Sequence, residues 1–551
     1  MSCEFEIKWE DLLVLLDATV YPLESEVPRD VLLEKIDGRI LLNGEIRTDG
    51  FEREDVFSAC LMRTQTGSLL PWKLGAAPRV TPQVMLEAVG AASAQWNLGT
   101  GKWPRASMGE RILAVAKFRA DMALVREKVI ALLMLEIGKS KSDAAAEFDR
   151  TLVYIDDTLE AARNLDRDNS RLQFSGGIIA QIRRAPLGVT LCMGPYNYPL
   201  NETFTTLIPA IVMGNTAVVK MARFGRLFWD PLLEAFQKNF PKGVVNILDG
   251  DGKTTVSAAM KTGRVDVLAF IGSSRVGNII RAAHPMPHRL RSILGLDAKN
   301  PAVILPDANI DVAVKECVRG ALSYNGQRCT AIKIIFAHKK IAKEFTEKFV
   351  AAVNSLKPGM PWDADVAITP LPDSQKPMAL RHMLEEAISK GAKLENPGMG
   401  GLIAGNLFFP AVVSGVPLDT ELAREEQFGP IVPIVEYDDL KDFEDYVVRS
   451  NYGQQAAIFG QDPIVIGHLV DKLANQICRI NLNTQCQRGP DVYPFTGRKN
   501  SAEGTLSVGD ALRAFSIRSM VAAKHDAVGK AVVQGVLDGN FSSFLNTDIL
   551  L

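Results

Sequence analysis

From residue 187 onward, short β-branched runs alternate with segments of helical spacing, and this alternation restricts the fold more than any other feature of the chain. GVTLCMGP (188–195), TAVVKMA (216–222), VVNIL (244–248) and VDVLAFIG (265–272) read as strands, with helices expected near 203–213, 226–239, 253–262 and 275–283. Apolar strands joined by helical crossovers build a parallel sheet covered on both faces. A second series starts near residue 300: AVILPD, IKIIFAH, PIVPIVEY, AAIFG and CRINLN are the strands, with helices near 309–324 and 340–355. An α/β chain of two domains is expected, the second starting close to Lys299.

Residues 105–165 carry apolar side chains at helical spacing, as in RILAVAKFRADMALVREKVIALLMLEI, and predict a long helical layer. FSGGIIAQIRRAP (174–186) and FSIRSMVAAKH (515–525) read as exposed strands whose open edges must be covered, for which pairing between subunits is one solution. The tail beyond 526 shows no strong pattern. A chain of 551 residues exceeds what one core can organise. Its 62 basic and 64 acidic side chains give a formal charge of -2, which offers nothing to a nucleic acid.

Seven cysteines, at 3, 60, 192, 317, 329, 478 and 486, form no CxxC pair, so neither a metal site nor a disulfide framework is expected. The apolar patch near the N-terminus has no basic leader, and the final DILL matches no address signal. The longest apolar region, 187–219, is broken by Pro195, Asn197, Pro199, Asn201 and Asn215 and does not span a bilayer. The expectation is a cytoplasmic protein with no membrane and no nucleic-acid partner.

Four stretches could carry chemistry. In YNGQRCTAIK (324–333), Cys329 lies between a helix and a strand, with Asn325 and Gly326 for a bend and Arg328 beside it to favour the reactive thiolate. Taken alone, such a cysteine is more often a small buried hydrophobe. PYNYP (195–199) sets Asn197 at the C-terminal end of a strand, where open α/β sheets bind ligands and an amide could donate to an oxyanion. GSSRVG (272–277) opens a helix, and its N–H groups suit a phosphate as well as they suit a simple capped turn. EEQFGP (425–430) is by itself an ordinary loop.

Together and in this order, PYNYP, VVK, GSSRVG, LGLDAKNPAVILPDANI, NGQRCT and EEQFGPIVPI, spread over roughly residues 100–525, resemble the aldehyde dehydrogenase superfamily. The resemblance implies an α/β fold of two Rossmann-like domains plus a small β arm for oligomerisation, and a homodimer or homotetramer. The implied division is 1–165 as an N-terminal helical part of the cofactor-binding domain, 166–186 as oligomerisation strands, and 187–298 as the dinucleotide-binding domain. It continues with 299–510 as the catalytic domain, 511–526 as an oligomerisation strand and 527–551 as a tail. Cys329 would attack an aldehyde, hydride would pass to the cofactor, and the thioester would be released. Asn197 and the Cys329 backbone N–H would form the oxyanion hole. Lys220 and Glu426 would hold the cofactor riboses, Gly272, Ser273 and Gly277 would surround the pyrophosphate, and Phe428 would support the nicotinamide. Arg223, where many NAD-using members carry a glutamate, implies NADP, with NAD second.

Within the superfamily the chain is similar to the non-phosphorylating glyceraldehyde-3-phosphate dehydrogenases, through Tyr198, Arg328, the FDRT segment with Arg150, and QRGPDVYPF with Arg488. A phenol and three arginines suit a phosphorylated aldehyde, since guanidinium grips phosphate bidentately. The departure is SILGLDAKN (292–300): Gly295 stands where most members carry the glutamate that activates water. Glycine moves no proton, which leaves three outcomes open. Another group such as Asp297 serves as base, or the acyl group passes to CoA or phosphate, or the chain is an impaired paralogue that binds NADP and phosphometabolites.

Overall fold

The structure, a computed structural model, describes residues 20–547. Cys3, the apolar N-terminal patch and the final DILL lie outside the described residues. The first large sheet has eight strands in the order Ala502–Glu503, Arg291–Gly295, Val267–Ile271, Val189–Met193, Thr216–Lys220, Val245–Leu248, Ile40–Leu42 and Glu45–Arg47. Its five central strands are parallel, and both edges are antiparallel. Ala217 and Val219 enter the core on one face while Val218 enters the core on the other, so a strand apolar throughout is buried on both sides.

Chain order reverses between Val189–Met193 and Val267–Ile271, which are neighbours in the sheet but distant in sequence. The loops that leave these strands, PYNYP and GSS, therefore flank one crevice, the usual ligand site of an open α/β sheet. The second sheet orders Lys393–Leu394, Ala411–Ser414, Ile431–Tyr437, Ile332–His338, Asn300–Ile304, Gln455–Phe459 and Arg479–Leu482. Cys329 and Phe428 precede the strands Ile332–His338 and Ile431–Tyr437, at the N-terminal edge of this sheet. C-terminal strand ends of one sheet thus face N-terminal strand ends of the other across the cavity described below.

The helical layer comprises Met108–Ala123, Arg126–Ile137 and Lys141–Asn169. The first opens on a capping box, in which Ser107 accepts from the Glu110 N–H and Glu110 accepts from the Ser107 N–H. Leu172–Ser175, Ile178–Pro186 and Ser516–Lys524 form a separate antiparallel sheet.

Three expectations need correction. Residues 1–165 are not helical throughout, because Glu52–Arg63 and Leu69–Arg79 form a long hairpin and Ile40–Leu42 and Glu45–Arg47 extend the first sheet. Register shifts within that hairpin remove the regular alternation that would have announced it. The span 299–510 is not confined to the second sheet, because Ala502–Glu503 pairs back onto Arg291–Gly295. The tail holds a helix, Ala527–Asp538, capped by Asp526, on which only Val533 is buried. No helix among the described residues is long and apolar enough to cross a membrane.

Candidate active site

A cavity of about 740 Å³ lies between the two sheets, and Asn197, Tyr198, Gly272, Ser273, Gly295, Asp297, Arg328, Cys329, Glu426, Phe428, Arg150 and Arg488 all line it. Lys220, Arg223 and Gly277 do not.

The turn that carries Cys329 is left-handed at three successive residues, Tyr324 (φ 50°), Asn325 (φ 56°) and Gly326 (φ 69°). Such backbone persists only when its surroundings hold it. Tyr324 donates its hydroxyl to the Ile137 carbonyl at 2.8 Å, and Asn325 exchanges bonds with Thr369 at 2.9–3.1 Å. A Cβ at Gly326 would stand 2.8 Å from the Ala321 and Gly429 oxygens, so only glycine fits. Asn300, not singled out from the sequence, donates to the Cys329 carbonyl at 2.8 Å and fixes the far side of the turn.

Asn197 is buried and donates to the Gln327 carbonyl at 2.7 Å, which ties the PYNYP loop to the cysteine turn. An amide has two N–H bonds, so one remains for another acceptor. The Tyr196 hydroxyl donates to Gln327 Oε1 at 3.2 Å, and its ring meets Phe224 and Phe428 edge-on. Beneath the loop, Glu147 accepts the N–H groups of Leu200 and Asn201 at 3.1 and 3.0 Å and pairs with buried Lys139, whose amine lies 3.4 Å from the Tyr198 ring centroid.

Arg328 does not activate the thiol as expected. It turns to the carbonyls of Arg319 (3.3 Å) and Gly320 (2.8 Å), near the negative end of the helix Ile310–Leu322. Burial pushes the Cys329 thiol up to about 11; Glu202 and Glu426 push the same way, while Lys333 and Arg488 oppose them. Asp297, the first substitute for a base at position 295, is engaged elsewhere. It accepts the Ser274 N–H at 2.7 Å, at the positive end of the helix Ser274–Ala282.

The other two arginines are already paired. Arg150 binds Asp491 through two bonds of 2.7 Å. Arg488 pairs with Glu202 and, at 3.2 Å, with Asp491, and it donates to the Leu506 carbonyl at 3.1 Å. Neither Arg328 Nε nor Arg488 Nε makes a hydrogen bond, but Arg488 Nε lies 3.2 Å from Asp491 in an ion pair. Glu202 and Asp491 escaped the sequence reading, though Glu202 left a signal as the one charge in the entirely buried helix Asn201–Val212.

The residues expected to meet a dinucleotide are compatible with one. Lys333 Nζ lies 3.1 Å from Glu426 Oε1 but outside hydrogen-bond geometry, so this buried oxygen keeps unused acceptor capacity. Phe428 holds φ at 45°, strained for an aromatic residue, between Tyr196 and the Lys333 amine. Lys220 ends the strand Thr216–Lys220, and Asp249 supports its charge against the lowering effect of burial. Arg223 is exposed beside Phe224. Gly272 admits no Cβ, which would stand 2.5 Å from the Phe270 ring, and at Gly277 a Cβ would come within 3.3 Å of Leu296. Ser273 caps its helix through the Val276 N–H at 3.4 Å.

Two α/β sheets with a cysteine turn and an asparagine loop meeting between them define a class, and residues 72–521 match the aldehyde dehydrogenase family; the chain belongs to that family of oxidoreductases. Among its relatives, the NADP-dependent glyceraldehyde-3-phosphate dehydrogenase of Streptococcus equinus is 32% identical over 448 residues, covering 80% of this chain and 91% of that one. A lactaldehyde dehydrogenase of Methanococcus aeolicus is 28% identical over 393 residues, covering 70% and 82%. The crystal structure of NADP-dependent glyceraldehyde-3-phosphate dehydrogenase from Bacillus halodurans complexed with NADP superposes with a TM-score of 0.80 at 28% identity, covering 89% of this chain and 100% of that one.

Proposed function

We propose that the protein oxidises a small phosphorylated aldehyde of the glyceraldehyde 3-phosphate kind to its acid, using NADP, in the cytoplasm. The observation that carries this reading is the single cavity holding Cys329, Asn197, Tyr198 and three arginines. The relatives named above add support for both cofactor and substrate. Cys329 attacks the aldehyde carbon, and the oxygen that becomes negative is met by the free N–H of Asn197 and the Cys329 backbone N–H. NADP, when bound, supplies the hydride acceptor. Lys220 and Glu426 hold its riboses, Arg223 its 2′-phosphate, Gly272, Ser273 and Gly277 surround the pyrophosphate, and Phe428 supports the nicotinamide. Arg328, bonded to backbone carbonyls and not to a carboxylate, is the arginine readiest for the substrate phosphate; Arg150, Arg488 and Tyr198 complete that end of the cavity. The separate sheet of 172–186 and 516–524 joins subunits into a dimer or tetramer.

The test measures NADPH formation with glyceraldehyde 3-phosphate and with glyceraldehyde, each with water, CoA or phosphate as acyl acceptor. Native turnover is expected to favour the phosphorylated aldehyde, and Cys329→Ala to abolish it with NADP binding kept. Arg328→Ala is expected to cost about 1.5–3 kcal/mol on the phosphorylated substrate only. Equal rates on both aldehydes would refute the phosphate assignment, and turnover in Cys329→Ala would refute the nucleophile. Turnover that requires CoA or phosphate would assign the chain to acyl transfer.

A further inference from the structure

Gly295 leaves this site without a carboxylate at the position that would activate water, and Asp297 is held by a helix N-terminus. Three carboxylates in the cavity, Asp143, Glu202 and Asp373, remain outside the assignments made so far, and of these Glu202 alone is buried. Glu202 stands in the first turn of the helix Asn201–Val212, five residues after Asn197, and all twelve residues of that helix are buried. Its residue exposure is 7%, and it lines the same cavity as Cys329 and Gly295. A buried carboxylate is costly unless paired, and the ion pair with Arg488 supplies that partner and orients it. Arg488 has other partners in Asp491 and the Leu506 carbonyl, so Glu202 is not there merely to satisfy a lone arginine.

We propose that the Glu202 carboxylate is the general base that activates water to release the acyl group from Cys329. The proposal rests on the reading of Cys329 as a nucleophile that forms a thioester. A water between Glu202 and the acyl carbon loses a proton to the carboxylate as its oxygen bonds to that carbon. The C–S bond then breaks, and the departing sulfur takes the proton back from Glu202. Acid and free thiol are the products, with no oxidant or reductant consumed. Among charged neighbours, Glu202 has the largest influence on the Cys329 thiol, in keeping with its nearness to the sulfur. Glu426 is the rival carboxylate, but Lys333 faces it and the proposed ribose contact occupies it.

An activated ester separates this proposal from the identity of aldehyde and cofactor. With p-nitrophenyl acetate, Cys329 displaces p-nitrophenol in a burst and becomes an acetyl thioester, and steady release then reports hydrolysis alone. Glu202→Gln is expected to keep the burst, slow the steady rate by about 10²-fold or more, and accumulate a +42 Da (about one acetyl) adduct on Cys329. Hydroxylamine, a nucleophile that needs no base, should restore release in that variant. So should Gly295→Glu added to it, since the atoms nearest to a Cβ at 295 belong to the Ile271 side chain, at 3.3 Å and beyond. Should Glu202→Gln give no burst, Glu202→Asp, which keeps a charge for Arg488, is measured in its place and should release at least tenfold more slowly than the native protein. Native steady rates in either variant, or a loss confined to Glu426→Gln, would overturn the proposal. A native protein that gives no burst would sink the nucleophile reading, and the proposal with it; a burst without NADPH formation from any aldehyde would sink only the proposed oxidation.

Discussion

Free Cys329 should be a poor nucleophile at neutral pH, and its alkylation should reveal this directly. Burial and the carboxylates of Glu202 and Glu426 raise the thiol from an ordinary 9.0 to about 11. At about 1.36 kcal/mol per pH unit, that rise disfavours the thiolate by on the order of 2.7 kcal/mol. At pH 8 the thiolate fraction falls to about 10⁻³, against about 10⁻¹ for an unperturbed thiol, because only the deprotonated sulfur reacts. The sign follows from the direction of the shift: the neutral thiol is favoured until pH approaches 11, so the rate should climb about tenfold per unit from pH 7 to 10. The assay follows iodoacetamide modification of Cys329 by peptide mass spectrometry, with exposed Cys478 on the same chain as an internal comparison. Glu426→Gln removes one group that raises the thiol pKa and should speed alkylation at pH 8. A native rate that levels off below about pH 9 would refute the argument that burial dominates the cation effects here.

Arg488→Ala should destabilise the protein by about 3–5 kcal/mol in urea unfolding, because Glu202 loses its buried partner and Asp491 one of two; a loss below about 1 kcal/mol would show that the network relaxes freely. Gly326→Ala should be destabilising and should nearly abolish Cys329 chemistry, since φ is 69° and two carbonyl oxygens stand 2.8 Å from the new methyl; native burst kinetics would contradict this. Arg223→Glu should weaken NADP binding by titration and leave NAD unaffected or improved, and equal losses on both would remove Arg223 from the 2′-phosphate. Asn197→Ala should slow acylation by about 10²-fold, as expected for one lost oxyanion donor. An unchanged rate would mean that its bond to Gln327 is purely structural.

The sequence by itself determined the parallel α/β class and the places where chemistry could sit. Strands buried on both faces must be apolar throughout, and loops such as PYNYP and GSS must follow them, so both are written in local pattern. The Asn325–Gly326 bend was legible for the same reason, since few residues adopt left-handed backbone. Glu202 escaped that reading, although it is the lone charge in NETFTTLIPAIV. What only the tertiary structure decided is which charges meet. Arg328 turns to a helix C-terminus, Asp297 to a helix N-terminus, and Arg488 to carboxylates 286 positions before it and three after it in the chain. Local pattern reports whether a residue can be buried, whereas pairing depends on the long-range approach of two sheets. Electrostatic interactions fall off with distance in space and not in sequence, so the elevated thiol of Cys329, opposite to what Arg328 beside it suggested, could emerge only from the folded cavity.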